Sequence, residues 1–217
     1  MNFKIGSFYP CLGEISLKSG SVAGHYFLQD LFVASQIYGK NPRVHFDVGS
    51  RVDGFVAHVA SFREIFVIDI RPLNNSINNI SFRKGDLMGQ LPKNLVNSCD
   101  SLSCLHALEH FGLGRYGDNI RWDGHVLGLN NLYKMLKVGG HLYLSVPIGT
   151  QRIEFNAHRV FSMKYILELI ENKYILEDFS FIDDAGVLKQ SVILENTNII
   201  NNLGCTFGCG IFTLKKS

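Results

Sequence analysis

The sequence predicts an α/β fold: a doubly wound, mostly parallel seven-stranded sheet with an antiparallel carboxyl-terminal edge, spanning residues 1–217 as one domain. Three observations predict it. Short apolar runs that end in turn residues alternate with stretches of helical spacing, four successive strand-like runs end in polar clusters, and two late β runs at 187–194 and 208–214 suit an antiparallel edge or hairpin. Strands alternating with helices imply a parallel sheet covered on both faces, because a parallel crossover needs a helix-sized, right-handed connection.

The elements follow in order. Residues 44–48 form a short apolar run ending in Asp47-Val48-Gly49-Ser50, and residues 54–60 continue with helical spacing through Phe55, Val56 and Val59. Residues 64–70 are a continuous apolar strand with a carboxylate, Asp69, near its end. Residues 79–83 make a weaker strand before Gly85-Asp86-Leu87, and residues 99–106 are an apolar run opening into a polar, glycine-rich loop. Between 122 and 136, Trp122, Val126, Leu129, Leu132 and Leu136 have the spacing of an amphipathic helix, which Val138-Gly139-Gly140 is expected to stop. A strand at 141–147, a helix at 162–171 and a strand at 174–182 precede the late β runs.

Composition bounds the function. Hydrophobic residues make up 46% of the 217 and charged residues 18%, which describes an ordered chain able to bury a core without disulfides or structural metals. A net charge of +2 from 21 basic and 19 acidic residues, with no Lys/Arg cluster, provides no nucleic-acid face, so a small or neutral substrate is expected. No stretch is long and apolar enough to span a bilayer, and residues 1–13 lack the basic start and apolar centre of a signal peptide. The five cysteines, Cys11, Cys99, Cys104, Cys205 and Cys209, show no CxxC spacing and fit reduced thiols, most of them core residues, in a cytoplasmic protein.

In a doubly wound sheet, ligands lie beyond the carboxyl ends of the strands, where the strand order reverses. Four such ends carry polar groups: Asp47 with Gly49, Asp69, Asp86, and residues 106–118. Gly49 permits a turn and a close approach of ligand to backbone. A carboxylate at Asp69 can accept both hydroxyls of a ribose, Asp86 can accept from an exocyclic adenine amine, and Leu87 supplies an apolar wall. Together these describe an adenosine-shaped site. Each has a plainer reading: Asp47 as a turn cap, Gly49 as an ordinary loop glycine.

From about residue 43 to residue 162 the chain resembles the class I S-adenosylmethionine-dependent methyltransferases. His45-Phe46-Asp47-Val48-Gly49-Ser50 is similar to their first motif, Asp69 to their ribose-binding acid, Gly85-Asp86-Leu87 to their adenine-side motif, and Lys137-Val138-Gly139-Gly140 to the stop before their fifth strand. The runs starting at Asp47, Ile68, Leu108 and Phe155, the last reading Phe155-Asn156-Ala157-His158-Arg159-Val160-Phe161, are similar to a branch labelled as a domain of unknown function, whose members accompany bacterial surface-polysaccharide genes. The resemblance implies S-adenosyl-L-methionine as cofactor, with Asp47, Gly49, Ser50, Arg51, Asp69, Ile70, Asp86, Leu87 and Leu105 around it, and a small acceptor such as a sugar or nucleotide-sugar in surface-glycan biosynthesis. One departure stands out: Arg51 occupies the place of the usual second glycine, and the later glycine is Gly54. The loop must therefore run a different course, with Arg51 either meeting the methionine carboxylate or obstructing the cofactor.

His106-Ala107-Leu108-Glu109-His110 has the H-x-x-E-H order of inverted zinc peptidases, but that motif needs a long helix, and here Phe111-Gly112-Leu113-Gly114 follows at once. No metal-ligating residues are assigned, and the need for a divalent metal stays open. The loop instead offers a base for methyl transfer to a hydroxyl: His106 and His110 lead, His158 is third, and Glu109 orients one of them or binds substrate. Arg115, Tyr116, Asp118, Asn156 and Arg159 read as substrate contacts; equally, a histidine here can be a core residue, and residues 118–121 a helix cap. Two other function classes stay open. One is a non-catalytic cofactor-binding or protein-interaction module; the other, a nicotinamide-dependent dehydrogenase, is weakened by the missing G-x-G-x-x-G fingerprint. The apolar stretch at 205–212 is core or a homodimer face.

Overall fold

A computed structural model describes residues 4, 6–20, 22 and 24–217; of the amino-terminal stretch 1–13, positions 1–3 and 5 lie outside the described residues. The chain enters the fold through helix α1 (His25–Lys40), which the sequence reading does not anticipate. Its buried residues Gln29, Val33, Ala34 and Ile37 recur at helical spacing, and Asn41, in the left-handed region, closes it by donating its backbone N–H to Ile37.

Strand β1 (His45–Val48) leads into a wide, π-type turn at Val52–Val56 and the short helix α2 (Ala57–Ala60), then into β2 (Ile65–Asp69) and β3 (Ile80–Lys84). The chain returns through β4 (Cys99–Leu105), α3 (Gly124–Met135) and the long β5 (Leu136–Ile148). A hairpin of β6 (Arg152–Glu154) and β7 (His158–Val160) forms its own small sheet. Helix α4 (Met163–Ile170) follows, capped by the Ser162 hydroxyl, which accepts from the Tyr165 N–H. Strands β8 (Tyr174–Ile182) and β9 (Leu188–Lys189), helix α5 (Asn196–Ile200) and β10 (Gly208–Lys216) complete the chain.

The main sheet runs β3-β2-β1-β4-β5-β10-β8-β9. The first five strands pair in parallel, and the antiparallel element expected at the carboxyl-terminal end is β10, which lies between β5 and β8. The two-residue β9 brings the sheet to eight strands rather than seven. Several boundaries differ from expectation. Residues 187–194 contribute only Leu188–Lys189, because Val192 and Leu194 pack against the core without joining the sheet. Helix α3 starts at Gly124, leaving Trp122 84% exposed, and it ends at Met135, so Gly139 and Gly140 lie within β5 rather than stopping the helix.

Side chains of each strand alternate between two cores. Ile65 and Val67 of β2, Tyr143 of β5 and Ile211 of β10 meet α1 and α2. Ile68, Leu142, Leu144, Phe212 and Leu214 meet α3 and α4 through Leu129, Leu132, Ile166 and Ile170. Each such fully buried side chain contributes about 1.5–3 kcal/mol. Four cysteines are buried in these layers and Cys11 is exposed; all five are free thiols. Among the described residues no helix is long and apolar enough to cross a membrane.

The last strand is tied down by a buried lysine. Lys216 donates from Nζ to the carbonyls of Tyr133 (2.9 Å) and Leu136 (2.7 Å), the orphan acceptors at the end of α3, and its ammonium sits 4.2 Å from the centre of the Tyr133 ring. Lys216→Met keeps the aliphatic stem but strands those carbonyls, so its urea midpoint is expected to fall by the equivalent of about 1–3 kcal/mol. An unchanged midpoint would show that the ammonium bonds add nothing.

Candidate active site

The strand order reverses between β1 and β4, and a cavity of about 480 Å³ opens there beyond the strand ends, a size suited to a small ligand. Its floor depends on Gly49. The backbone there has φ 77°, and a Cβ would come 2.8 Å from Cβ of Ala107, so only glycine lets the β1 loop lie against the β4 loop. The Gly49 N–H donates to Ile68, tying the loop to β2.

Asp47 stands behind this floor, not on the cavity wall. Its carboxylate accepts from the Ser50 N–H (3.1 Å), the Ser50 hydroxyl (2.7 Å) and the Ser103 hydroxyl (2.6 Å), and complete burial pushes its pKa up to about 6 despite those donors. Placed among the cofactor contacts by sequence, it is a brace that holds Ser50 on the wall. Arg51 lines the cavity at its exposed edge, where its guanidinium forks onto Asp53, also on the wall, at 3.0 and 2.7 Å. The altered course of the loop is the wide turn after it. Gly54 has φ −126° and ψ −111°, and a Cβ there would meet Asp30 of α1 at 2.9 Å.

Asp69 ends β2 on the wall beside Ile70. Both of its oxygens accept from the Arg71 guanidinium, whose far nitrogen also donates to the Gly49 carbonyl at 3.3 Å and whose face lies 4.7 Å from the Tyr116 ring centre. Arg71, absent from the sequence-derived list, thus joins three strand-end loops. Its signal was the position two residues after an acid, the reach of a guanidinium fork. Asp86 accepts from the Met88 N–H at 2.8 Å, and Leu87, Met88 and Leu105 provide the apolar wall. Tyr26, Gln29 and Asp30 of α1 close the remaining side. The sequence hinted at them only as polar residues within a helical apolar stripe.

The His106–His110 segment is a single 3₁₀ turn, Leu108–His110, as the following glycines require. Nδ1 of His106 and Oε1 of Glu109 are 2.8 Å apart, both buried. Burial opposes the charged form of each, yet Cys209 and then Glu109 raise the histidine well above its ordinary pKa, and His106 in turn lowers the glutamate. His110 differs. Its Nδ1 lies 2.7 Å from the Ala157 carbonyl, which assigns the proton to Nδ1 and leaves Nε2 as an acceptor, 3.8 Å from Glu109 Oε1. Burial lowers the His110 pKa, so the ring is neutral near pH 7.

The structure does not bring every candidate to this cavity. His158 lies on β7 against Phe207, and Asn156 is exposed off the wall. Arg159 is buried, donating to the carbonyls of Glu109, Phe111, Arg121 and Trp122, and so pins the loop rather than meeting substrate. Asp118 lines the cavity but spends both oxygens on the N–H groups of Gly112, Gly114 and Tyr116. Arg115 and Tyr116 lie at the cavity edge, and Arg115 donates to the Ala157 carbonyl at 2.9 Å.

A buried acid whose pKa is raised stabilises the fold fully below its unfolded value and loses that contribution as pH climbs through the folded value. For Asp47 the window runs from pH 3.8 to about 6, worth about 3 kcal/mol at most. Asp47→Asn is therefore expected to gain stability relative to wild type as pH rises through that window. The check is the difference in urea midpoints from pH 4 to 7; parallel profiles would contradict it.

No curated protein sequence matches the chain. Solved structures do. The N-methyltransferase NodS from Bradyrhizobium japonicum WM9, in complex with S-adenosyl-L-homocysteine, superposes with a TM-score of 0.57 at 12% identity, over 88% of this chain and 87% of that one. A TehB-like SAM-dependent methyltransferase from Corynebacterium glutamicum ATCC 13032 Kitasato gives 0.54 at 14% identity, over 85% and 86%. The cyclase SpnF gives 0.57 at 13%, over 85% and 80%. At these identities the likeness is one of fold, the Rossmann-like methyltransferase architecture, and SpnF shows that this architecture does not by itself name a reaction. Residues 71–206, more than half of the 217, match the family described as "Caenorhabditis protein of unknown function, DUF268", and the chain belongs to that family.

Proposed function

We propose that the protein is an S-adenosylmethionine-dependent methyltransferase that methylates an oxygen of a sugar or another small hydroxylated metabolite, in the setting of surface-glycan assembly. The observation that carries this reading is the convergence of a glycine-only floor at Gly49, a strand-end carboxylate at Asp69 and a neutral histidine at His110 on one cavity at the switch point. The residues fit the cofactor. Gly49 lets a ligand lie on the main chain, Asp69 faces where ribose hydroxyls would bind, and Asp86 with Leu87, Met88 and Leu105 matches the polar edge and apolar faces of adenine.

When bound, S-adenosylmethionine supplies an electrophilic methyl carbon on its sulfonium. The protein's part is to hold an acceptor oxygen in line and take its proton. His110 suits that role, since Nε2 is free of a proton and Glu109 lies near enough to steady the charge the ring gains. His106 suits it less, because its surroundings hold it in the charged form. Arg115 and Tyr116 stand where they would meet the acceptor.

One observation favours the alternative, a methyltransferase-like module that does not catalyse: Arg71 already engages both oxygens of Asp69, so a ribose would have to compete with it. Calorimetric titration with S-adenosylhomocysteine separates the two. Saturable binding is expected in wild type, weakened about 10- to 150-fold in Asp69→Ala, the loss of a charged hydrogen bond. No binding to the folded protein at millimolar ligand supports the non-catalytic module.

If binding holds, methyl transfer to a sugar acceptor is expected to fall about 10²- to 10⁴-fold in His110→Gln with the nucleoside affinity unchanged. The wild-type rate rises with pH and levels off below the ordinary histidine value of 6.5, because burial lowers the pKa of the base. A rate still climbing above about pH 7.5 would assign the proton to another group.

A further inference from the structure

His106 stands where three elements distant in sequence meet. A left-handed turn at its backbone, φ 48°, ends β4. Its ring stacks on that of His25, the first residue of α1, with centroids 5.1 Å apart and planes within 13°. Cys209, at the start of β10, closes the group: one ring nitrogen of each histidine and Sγ of the cysteine lie within 4.8 Å of one another. Cys209 is 0% exposed and His106 8%.

A second observation points to a ligand at the same place. Among the described residues, Nε2 of His106 and Oε2 of Glu109 are buried without a hydrogen-bond partner. Nδ1 of His106 is held by Glu109, so Nε2 is the nitrogen left to bind. A carboxylate behind an imidazole in this way orients a metal-bound histidine and raises its basicity.

We propose that His25, His106 and Cys209 form a site for a divalent transition metal of the zinc kind, held by two imidazole nitrogens and one thiolate, with Glu109 as its outer carboxylate. The donor set selects this class, since thiolate and imidazole suit zinc, whereas magnesium and calcium take oxygen ligands. Around a tetrahedral zinc the donors stand about 3.5 Å apart and each lone pair lies in its ring plane, so the cluster must draw in by about 1 Å and the His25 ring must turn out of its stack on His106. His25, half-buried on the first turn of a helix, has the freedom to move. Binding needs the Cys209 thiolate and an unprotonated Nε2 on His106, so the thiol proton that now points to Gln29 Oε1 at 3.4 Å, with any proton on Nε2, passes to solvent and no electron is transferred. The two charges of the ion are then met by the thiolate and the Glu109 carboxylate, leaving the buried group neutral. His110, the second histidine of the H-x-x-E-H order, is not among the three grouped donors.

The test is titration of the metal-free full-length protein with Co(II), then competition of Zn(II) against a chromophoric chelator. One equivalent of Co(II) is expected to give a near-ultraviolet thiolate charge-transfer band that one equivalent of Zn(II) removes. Cys209→Ser abolishes the band, His25→Ala weakens Zn(II) binding at least about 100-fold, and Glu109→Gln weakens it about 10- to 100-fold. Far-ultraviolet circular dichroism checks the fold of each variant, and His25→Ala, away from the sheet, is the one expected to keep it. A folded wild type with no band, or Zn(II) binding unaltered in folded His25→Ala, overturns the site. S-adenosylhomocysteine affinity is expected to be unchanged in His25→Ala, so failure of the metal site and failure of the methyltransferase reading give separate signals.

Discussion

Gly49 and Ala107 touch across the gap between β1 and β4, and the cavity exists because nothing larger than a hydrogen stands between them. The strands themselves are set by hydrogen bonding, but the loops that leave them must diverge from a shared floor. Asp47 braces one side of this floor through Ser50 and Ser103, and Arg71 reaches its rim by way of the Gly49 carbonyl. A side chain at Gly49 would push the β4 loop outward and carry His106, Glu109 and His110 with it.

The β4 loop is held by buried charge rather than by regular structure. Arg159 satisfies four carbonyls along it, and Asp118 satisfies three backbone N–H groups. Buried backbone polar groups must find partners, and a loop that cannot be helical recruits them from side chains. This accounts for the number of polar residues here that do not face the cavity. It also explains the contrast between the two histidines: one is committed to a buried carboxylate, the other to a main-chain carbonyl that leaves a neutral, accepting nitrogen facing Glu109.

The fold shared with NodS and SpnF does not by itself name a reaction. Helix α1 supplies one side of the site in this chain. Tyr26, Gln29 and Asp30 complete the cavity wall, and His25 on the same turn stacks on His106. A helix entering the sheet before β1 thus connects the proposed acceptor cavity with the proposed metal cluster, and it brings Cys209 of the last strand into that connection.

Much of this was legible in the sequence, because period and punctuation are local. The apolar runs at β1, β2, β4 and β8, the glycine after β1 and the acid ending β2 are short-range patterns, and each lies where its pattern says. The stripe of α1 was equally local, but its opening residues carry polar groups that mask it. What the tertiary structure alone decided is which polar groups find one another. Asp47 turned inward because Ser103, 56 residues away, sits opposite it, and Arg159 is a strut because the loop it pins has unpaired carbonyls. His106, Glu109 and His110 read as one cluster in sequence and stay together in space, but His106 also meets His25 and Cys209, which only the crossing of α1, β4 and β10 brings within 4.8 Å. Strand and helix follow from residues a few positions apart, whereas the role of a charged or ligating group depends on partners whose distance along the chain carries no signal.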